Sequence, residues 1–470
     1  MKDFSSNTFY PIFQRQKEQL LKIGNTTYKK RIEKLNALKN AVETDYREAL
    51  KKAIYADFKK PSTETDLTEI YPVISEIKYV KKHLKRWMKR QYVTTPLPLT
   101  GSSSYIKYEP KGVCLIISPW NFPINLTLGP LITAIAAGNT VVLKPSEFTP
   151  HTSVVLAELI GNIFNAEEVT LVEGAVKETQ ELLALPFNHI FFTGSPKVGK
   201  IVMEAAAKNL SSVTLELGGK SPTIVDKTAN IKKAAKKIAW GKYINNGQVC
   251  LSPDYLLLHK AVKMEFLEHF KSYIEKFYTN NPQHTDSYCR IINDIHFERL
   301  KETISEAEKK GATVITGGLA NKTNLYIAPT VITDVPKDTA LLKEEIFGPI
   351  LPVLTYENLK EAINYINSKE KPLALYIFSK KNSIIQKIIH QTRAGSTCIN
   401  NTIVQYSNPN LPFGGSNNSG IGKSHGFYGF RAFSNERAIL KQHTKSMVEQ
   451  LYPPYNGFKQ KLVNWTIKWF

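Results

Sequence analysis

The sequence predicts an α/β protein of two domains, each built on a parallel sheet. Three observations carry that expectation. At 470 residues the chain is too long for one small core. Short apolar β-rich runs, VCLIIS (113 to 118) and TVVLK (140 to 144), are separated by helix-like stretches, the pattern of βαβ units. The alternation then begins afresh after Gly219, so a second α/β unit follows the first.

Residues 11 to 58 repeat apolar positions at helical spacing among Lys, Glu, Leu and Ala, which predicts two or more long amphipathic helices. Residues 78 to 90 (KYVKKHLKRWMKR) continue in that style, with Tyr79, Val80, Leu84, Trp87 and Met88 near the same period. Pro96 and Pro98 stop it. From Ser103 the chain turns β-rich. HIFFTGS (189 to 195) followed by KVGKIVMEAAAKNL spells strand, turn and helix, and SSVTLELGG (211 to 219) adds a strand. Beyond Gly219, strands are expected in SPTIVD, YLLLH, ATVIT and ILPVLTY, and helices over residues 231 to 242, 261 to 277 and 295 to 310. The stretch from Pro412 is rich in Gly and Asn, and the chain closes on YPPYNGFKQKLVNWTIKWF.

Apolar residues at 42% and charged residues at 22% match a globular protein and exclude a disordered or collagen-like one. Cys114, Cys250, Cys289 and Cys398 lie far apart and form no CxxC or Cys/His spacing. No metal site is therefore expected, and a reducing cytoplasm is the natural compartment. The opening MKDFSSNTFYPIFQRQ lacks the apolar stretch of a secretory signal, and no run of about 18 apolar residues suggests a spanning helix. A net charge of +21 raises nucleic acid or anionic lipid as partners. The basic cluster at 78 to 90 reads instead as the solvated face of a packed amphipathic helix, so no nucleic-acid partner is expected.

Four segments suggest chemistry. Cys250 sits in YINNGQVCLSP, a loop with a flexible Gly247 just after a predicted helix, where a thiol can be presented to a cleft. A nucleophilic role requires donors, a cation or a base that favours the thiolate; a lone cysteine is otherwise an inert buried thiol. Glu216 interrupts the apolar run of TLELGGKSP. Buried, it would have a raised pKa suited to a general base; on an edge strand it would simply face water. Asn121, in SPWNFPINL, offers two amide N–H donors on a stiff segment, as an oxyanion stabiliser needs, though turns also use Asn. In FFTGSPKVGK, Gly194 and Gly199 flank a helix start whose backbone amides suit a pyrophosphate, although the spacing is not the GxGxxG fingerprint.

In chain order from about Glu109 to Phe433 the sequence reads PWNFP, GNTVVLKPSE, FFTGSPKVG, LELGGKSP, NGQVC, EEIFGPI and PFGG. This set resembles the aldehyde dehydrogenase superfamily. The early start, YPPY and PFGGSNNSGIGKSHG are most similar to its class 3 branch, which includes fatty and aromatic aldehyde dehydrogenases. The resemblance implies two Rossmann-like parallel-sheet domains with a small β arm for oligomerisation. Residues 1–90 and 109–218 would bind the cofactor and 219–413 would carry catalysis. Residues 91–108 and 427–447 would bridge a homodimer, leaving 448–470 as a basic, aromatic tail.

The implied reaction is NAD(P)-dependent oxidation of an aldehyde, medium- or long-chain aliphatic or aromatic, to the acid. Cys250 would be the nucleophile, passing through a thiohemiacetal and a thioester. Glu216 would be the general base for water, and Asn121 an oxyanion donor beside the backbone N–H of Cys250. Lys144 and Glu147 resemble the pair that holds the adenosine ribose, and Ser195, with Gly194 and Gly199, the pyrophosphate contact. Glu345 and Phe347 resemble the nicotinamide-ribose clamp, and Trp120 and Leu217 belong to the same cofactor surface. A carboxylate at Glu147 repels a 2′-phosphate, so NAD is expected, with NADP possible. Asn417 departs from the pattern where a glycine is usual, in a stretch expected to line the substrate side.

Two alternatives stand beside this reading. Acyl-phosphate reductases of related fold run the chemistry toward the aldehyde, but a base poised to activate water, as Glu216 would be, hydrolyses the thioester instead. A non-catalytic scaffold would be expected to lack Cys250 or Glu216. The tail poses a separate question. Leu462, Val463, Trp465, Ile467, Trp469 and Phe470 cover a broad helical arc with Lys461 and Lys468 on the other side, which suits a peripheral membrane contact or an arm on a partner subunit.

Overall fold

Alternate residues of the first parallel strands feed two different cores, and this decides the architecture. A computed structural model describes residues 4–469. In the strand Val113–Ile117 every residue is buried. Cys114 and Ile116 face a core shared with the N-terminal helices, while Val113, Leu115 and Ile117 face a second core on the other side. A strand covered on both faces must be apolar throughout, which is why its sequence reads as a continuous run.

The first sheet has six strands in the order Gly420–Ile421, Ser212–Leu217, His189–Gly194, Val113–Ile117, Thr140–Lys144, Val169–Leu171. All are parallel except Gly420–Ile421, which runs antiparallel against Leu215 and Glu216. The second sheet has seven strands in the order Thr313–Thr316, Thr330–Thr333, Ile350–Tyr356, Tyr255–His259, Pro222–Val225, Ala374–Phe378, Ser396–Ile399. Only Thr313–Thr316 is antiparallel there. A third sheet of three antiparallel strands, Gln91–Val93, Ser102–Pro110 and Ser434–Gln442, stands apart from both.

The expected strands and helices of both units form close to their predicted bounds. The N-terminal region differs in detail: four helices, Tyr10–Glu18, Leu20–Gly24, Tyr28–Asn40 and Arg47–Phe58, replace longer ones. Arg31 on the third is buried, donating to the carbonyls of Ala136 (2.7 Å) and Gly24 (2.7 Å) and so satisfying the end of the helix Pro123–Ala137. The basic cluster lies on the helix Tyr71–Trp87, where Val80, Leu84 and Trp87 are buried and Lys78, Lys82, Lys85 and Arg86 are exposed. Among the described residues no helix is long and apolar enough to cross a membrane.

Asn139 ties the first unit together. Its Oδ1 accepts from the Gly112 N–H (2.9 Å), and its amide donates to the carbonyls of Ala134 (3.2 Å) and Phe433 (2.9 Å). One buried side chain thus joins the start of a strand, the end of a helix and the C-terminal segment. Asn139→Ala would leave the Gly112 N–H without its acceptor, while the carbonyls of Ala134 and Phe433 keep the backbone donors Gly138, Asn139 and Lys111, and one unsatisfied buried group costs about 1–3 kcal/mol. A loss of about 1–3 kcal/mol in urea unfolding is expected; an unchanged midpoint would contradict this role.

Candidate active site

The parallel strands of the first sheet all release their chains at the same edge, and that edge is one wall of a large cavity. Ser118 to Asn121 follow the strand Val113–Ile117, Lys144 ends Thr140–Lys144, Gly194 ends His189–Gly194, and Glu216 and Leu217 end Ser212–Leu217. Ligands bind open α/β sheets at this carboxyl edge. The cavity measures about 1410 Å³, and its other wall comes from the second unit through Val249, Cys250, Glu345 and Phe347.

One end of the cavity suits a dinucleotide. Gly194, Ser195 and Pro196 line it where the helix Pro196–Ala207 begins, and Ser195 Oγ caps that helix by accepting from the Val198 N–H (3.3 Å). Lys144 is almost fully buried, donates to the Pro145 carbonyl (2.8 Å) and lies 3.8 Å from Glu147. Burial pushes this ammonium below its usual range, so an anion or hydroxyl delivered to it would be held strongly. Leu217 and Trp120 also line the cavity. Gly199 does not: a Cβ there would sit 2.7 Å from Leu217 Cδ2. Its bare backbone serves the close approach of helix to strand.

The second unit reaches across to the first through residues 345 to 347. The Glu345 carboxyl packs on Gly218, where a Cβ would lie 2.1 Å from Oε2, and accepts from the Gly219 N–H. Phe347 has a left-handed backbone (φ 47°), and its ring meets Trp120 edge-on at 5.4 Å. Burial, with Asp254 nearby, raises the Glu345 carboxyl to about 8.

Cys250 stands at the junction, after three consecutive left-handed residues, Asn245 (φ 51°), Asn246 (φ 55°) and Gly247 (φ 70°). Asn tolerates this conformation and glycine is free in it, so the INNG sequence encodes the turn. At Gly247 a Cβ would lie 2.3 Å from the Gly348 carbonyl, so this residue is a fixed close-packing point rather than a flexible one. The turn is held from inside. Asn246 Nδ2 donates to the Cys289 carbonyl (2.6 Å), and Gln248 donates to Asn245 and Arg290 carbonyls while accepting from the Ile292 N–H (3.1 Å).

Asn121 is buried, and its Nδ2 donates to the Gln248 carbonyl (3.0 Å), while Asn245 Nδ2 donates to the Asn121 carbonyl (2.9 Å). These bonds lock the segment of Asn121 to the loop of Cys250. One amide proton of Asn121 is used in this way, leaving the second for an oxygen in the cavity.

Glu216 lies inside the sheet rather than at an exposed edge, because Gly420–Ile421 covers its strand. Ser424 Oγ donates to Oε1 (2.9 Å), and Oε2 has no hydrogen-bond partner. Burial raises this carboxyl to about 8, against the opposing pull of Ser424 and Lys423. An unpartnered buried oxygen on a cavity wall is available to a water. Burial and the charges of Glu345 and Glu216 push the Cys250 thiol up to about 12.

The structure brings Cys250, Asn121, Glu216, Lys144, Glu147, Gly194, Ser195, Leu217, Trp120, Glu345 and Phe347 to this one cavity. Asn417 itself is exposed and lies outside the lining, while its stretch does reach the cavity through the neighbouring Asn418, followed by Ser424 and His425. The usual glycine at 417 is explained by φ 55°, which Asn also accommodates. Gln248, Ser424 and the His425–Glu76 pair (3.6 Å) escaped sequence reasoning. Only the left-handed NNG run carried a local signal, since the others depend on contacts between distant segments.

Comparison with known proteins agrees with this geometry. The model of the aldehyde dehydrogenase family matches residues 7–439. The chain is 44% identical over 427 residues to the 4,4'-diaponeurosporen-aldehyde dehydrogenase of Staphylococcus aureus, covering 91% of this chain and 92% of that protein. It is 41% identical to the dimeric NADP-preferring aldehyde dehydrogenase of Mus musculus, covering 90% and 93%. The solved structure of a substrate-bound state of Staphylococcus aureus AldH superposes with a TM-score of 0.94 at 42% identity, covering 98% of this chain and 100% of that one.

With its thiol pushed up to about 12, the ligand-free protein should react slowly with electrophiles at neutral pH. Iodoacetamide alkylation of Cys250, followed by peptide mass, is expected to keep accelerating from about pH 7 to about pH 10 as the thiolate fraction grows. A plateau near neutrality would show that a cation or base already ionises it.

Proposed function

Because the chain belongs to the aldehyde dehydrogenase family, as its match over residues 7–439 establishes, we propose that it oxidises an aldehyde through Cys250, with NAD or NADP as acceptor. The observation that carries this reading is the convergence of Cys250, Asn121 and Glu216 on one cavity whose other end is a buried lysine and a helix start. Its residues fit a dinucleotide: the first unit supplies Lys144, Glu147 and Ser195, and Glu345 and Phe347 close over it from the second. When bound, the nicotinamide supplies the hydride acceptor.

The Cys250 thiol gives its proton to solvent water as Sγ bonds to the carbonyl carbon of the aldehyde and the C=O π pair moves to oxygen, giving a thiohemiacetal. Asn121 Nδ2 and the Cys250 N–H stabilise the oxygen as charge gathers on it, using dipoles fixed beforehand by Gln248 and Asn245. Loss of hydride leaves a thioester on Cys250. Glu216 Oε2 then takes a proton from water, the hydroxide attacks the acyl carbon, the C–S bond breaks and the carboxylic acid leaves. A buried carboxyl near 8 is ionised increasingly as pH rises, so hydrolysis quickens through that value. This step also sets the direction away from a reductase, which has no use for such a base. Leu67, Tyr71, Trp240, Ile403, Val404 and Phe413 make the substrate end apolar, which favours medium- or long-chain aliphatic or aromatic aldehydes.

The proposed working form is a homodimer. The three-stranded sheet exposes Tyr92, Val93 and Leu440, and Ser396–Ile399 ends the second sheet with Ile399 exposed; a second copy can cover both. The tail forms the helix Gly457–Trp469. Phe458, Trp465 and Trp469 share one exposed face with Lys461 and Lys468 beside it, a surface fitted to an anionic bilayer, while Phe470 lies outside the described residues.

Cys250→Ala is expected to abolish NAD(P)-linked turnover, and Asn121→Ala to lower kcat by about a hundredfold. Full turnover in the Cys250→Ala protein would end the assignment. For the tail, truncation after Asn456 is expected to reduce sedimentation with phosphatidylserine vesicles by about tenfold or more. Equal binding by the full and truncated proteins would assign the helix to a subunit contact instead.

A further inference from the structure

Three carboxylates outside the reaction itself, Glu69 and Glu76 buried and Glu64 half-buried, grip the main chain of the three catalytic segments. Glu64 Oε1 accepts from the Asn245 N–H (2.9 Å), in the turn that presents Cys250. Glu69 Oε2 accepts from the Asn125 N–H (2.8 Å), in the first turn of the helix that follows Asn121, while its Oε1 pairs with the buried Lys60 (3.0 Å). Lys60 in turn lies 4.0 Å from the centre of the Phe122 ring. Glu76 Oε1 accepts from the Gly426 N–H (2.7 Å), two residues beyond the Ser424 that holds Glu216.

All three carboxylates stand on one continuous helix, Ser62–Thr65, a single π turn Asp66–Ile70, and Tyr71–Trp87. Glu69 and Glu76, seven apart, share a face of any α-helix. Glu64 and Glu69 are five apart, which in uninterrupted α-helix would separate them by roughly 140° around the axis. The π turn removes that mismatch. Its bonds run from residue i to i+5, as in the Tyr71 N–H to Asp66 carbonyl bond, and one inserted residue rotates Glu64 back toward the line of the other two.

We propose that this helix is the register bar of the active site: Glu64, Glu69 and Glu76 are positioning residues that set the loop of Cys250, the segment of Asn121 and the segment of Ser424 against one another. Each bonded N–H lies where the main chain leaves or enters regular structure and lacks a partner of its own. A carboxylate can satisfy such a group without demanding a further strand or helix at the cavity wall. The proposal rests on the assignment of Cys250, Asn121 and Glu216 above. Because it assigns a different segment to each carboxylate, it makes the effects of the three separable.

The test compares Glu64→Ala and Glu76→Ala with their Gln counterparts, which keep an oxygen acceptor, in the full-length enzyme. Circular dichroism and melting temperature confirm folding. Glu64→Ala is expected to change the Cys250 alkylation rate and to lower kcat by about tenfold to a hundredfold, with KM for NAD within about twofold. Glu76→Ala is expected to leave the alkylation rate within about twofold, yet lower kcat and displace the pH limb that belongs to Glu216. Both Gln variants should recover to within about threefold of the parent. A folded Glu64→Ala enzyme with parental kcat and alkylation overturns the proposal. So do Ala variants that lower every parameter in parallel and are not rescued by Gln. Activity surviving in Cys250→Ala would instead strike the assignment of the nucleophile, an outcome read from a different protein.

Discussion

The interaction on which the site depends is the desolvation of acids at the seam between two sheets. Cys250, Glu216 and Glu345 face one cavity, and burial raises all three above their ordinary values. In water each group would ionise according to its own chemistry; here each proton is retained until an opposing charge or a donor arrives. The cavity therefore holds the proposed nucleophile and the proposed base in reserve. Lysines set at its margins, Lys144 and Lys423, feel the same lack of water in the opposite sense, and their ammonium groups are pushed down.

Geometry comes from the sheets, and rigidity from side chains that bond main chain. Parallel strands deliver Asn121, Lys144, Ser195 and Glu216 to one edge with no further device. The loop of Cys250 has no strand to support it. Its place is taken by amides: Asn245, Asn246 and Gln248 donate only to carbonyls, so the loop is cross-braced to Asn121 on one side and to the Cys289–Arg290 segment on the other. This explains why so polar a sequence is fully buried there.

Much of this was legible in the residues. Buried parallel strands are apolar along their whole length, so VCLIIS and TVVLK announce themselves, and the ordered motifs around Cys250 and Glu216 point to the chemistry. Short strands such as Thr330–Thr333 and Ser396–Ile399 were not foreseen, because four residues carry too little periodicity and their pairing is decided by distant neighbours. Gly199 shows a related limit: a glycine at a helix start reads the same whether it faces a phosphate or a leucine, and here it faces Leu217. Ser424 lies 208 residues from the carboxylate it holds, and Glu64 lies 181 from the amide it accepts. Separations of that size leave no trace in local pattern.

The strand Gly420–Ile421 has a consequence for the order of assembly. The first sheet is written early in the chain, but its edge beside Glu216 is closed only by residues made near the end. A polypeptide still emerging from the ribosome can build the strands from Val113 to Leu217 and yet has nothing to cover that flank or to cap the carboxylate. The closed flank consequently arrives in one late event, when the segment of Gly420–Ile421 and Ser424 docks, and an interrupted translation product would carry Cys250 and Glu216 with that carboxylate still uncovered and uncapped.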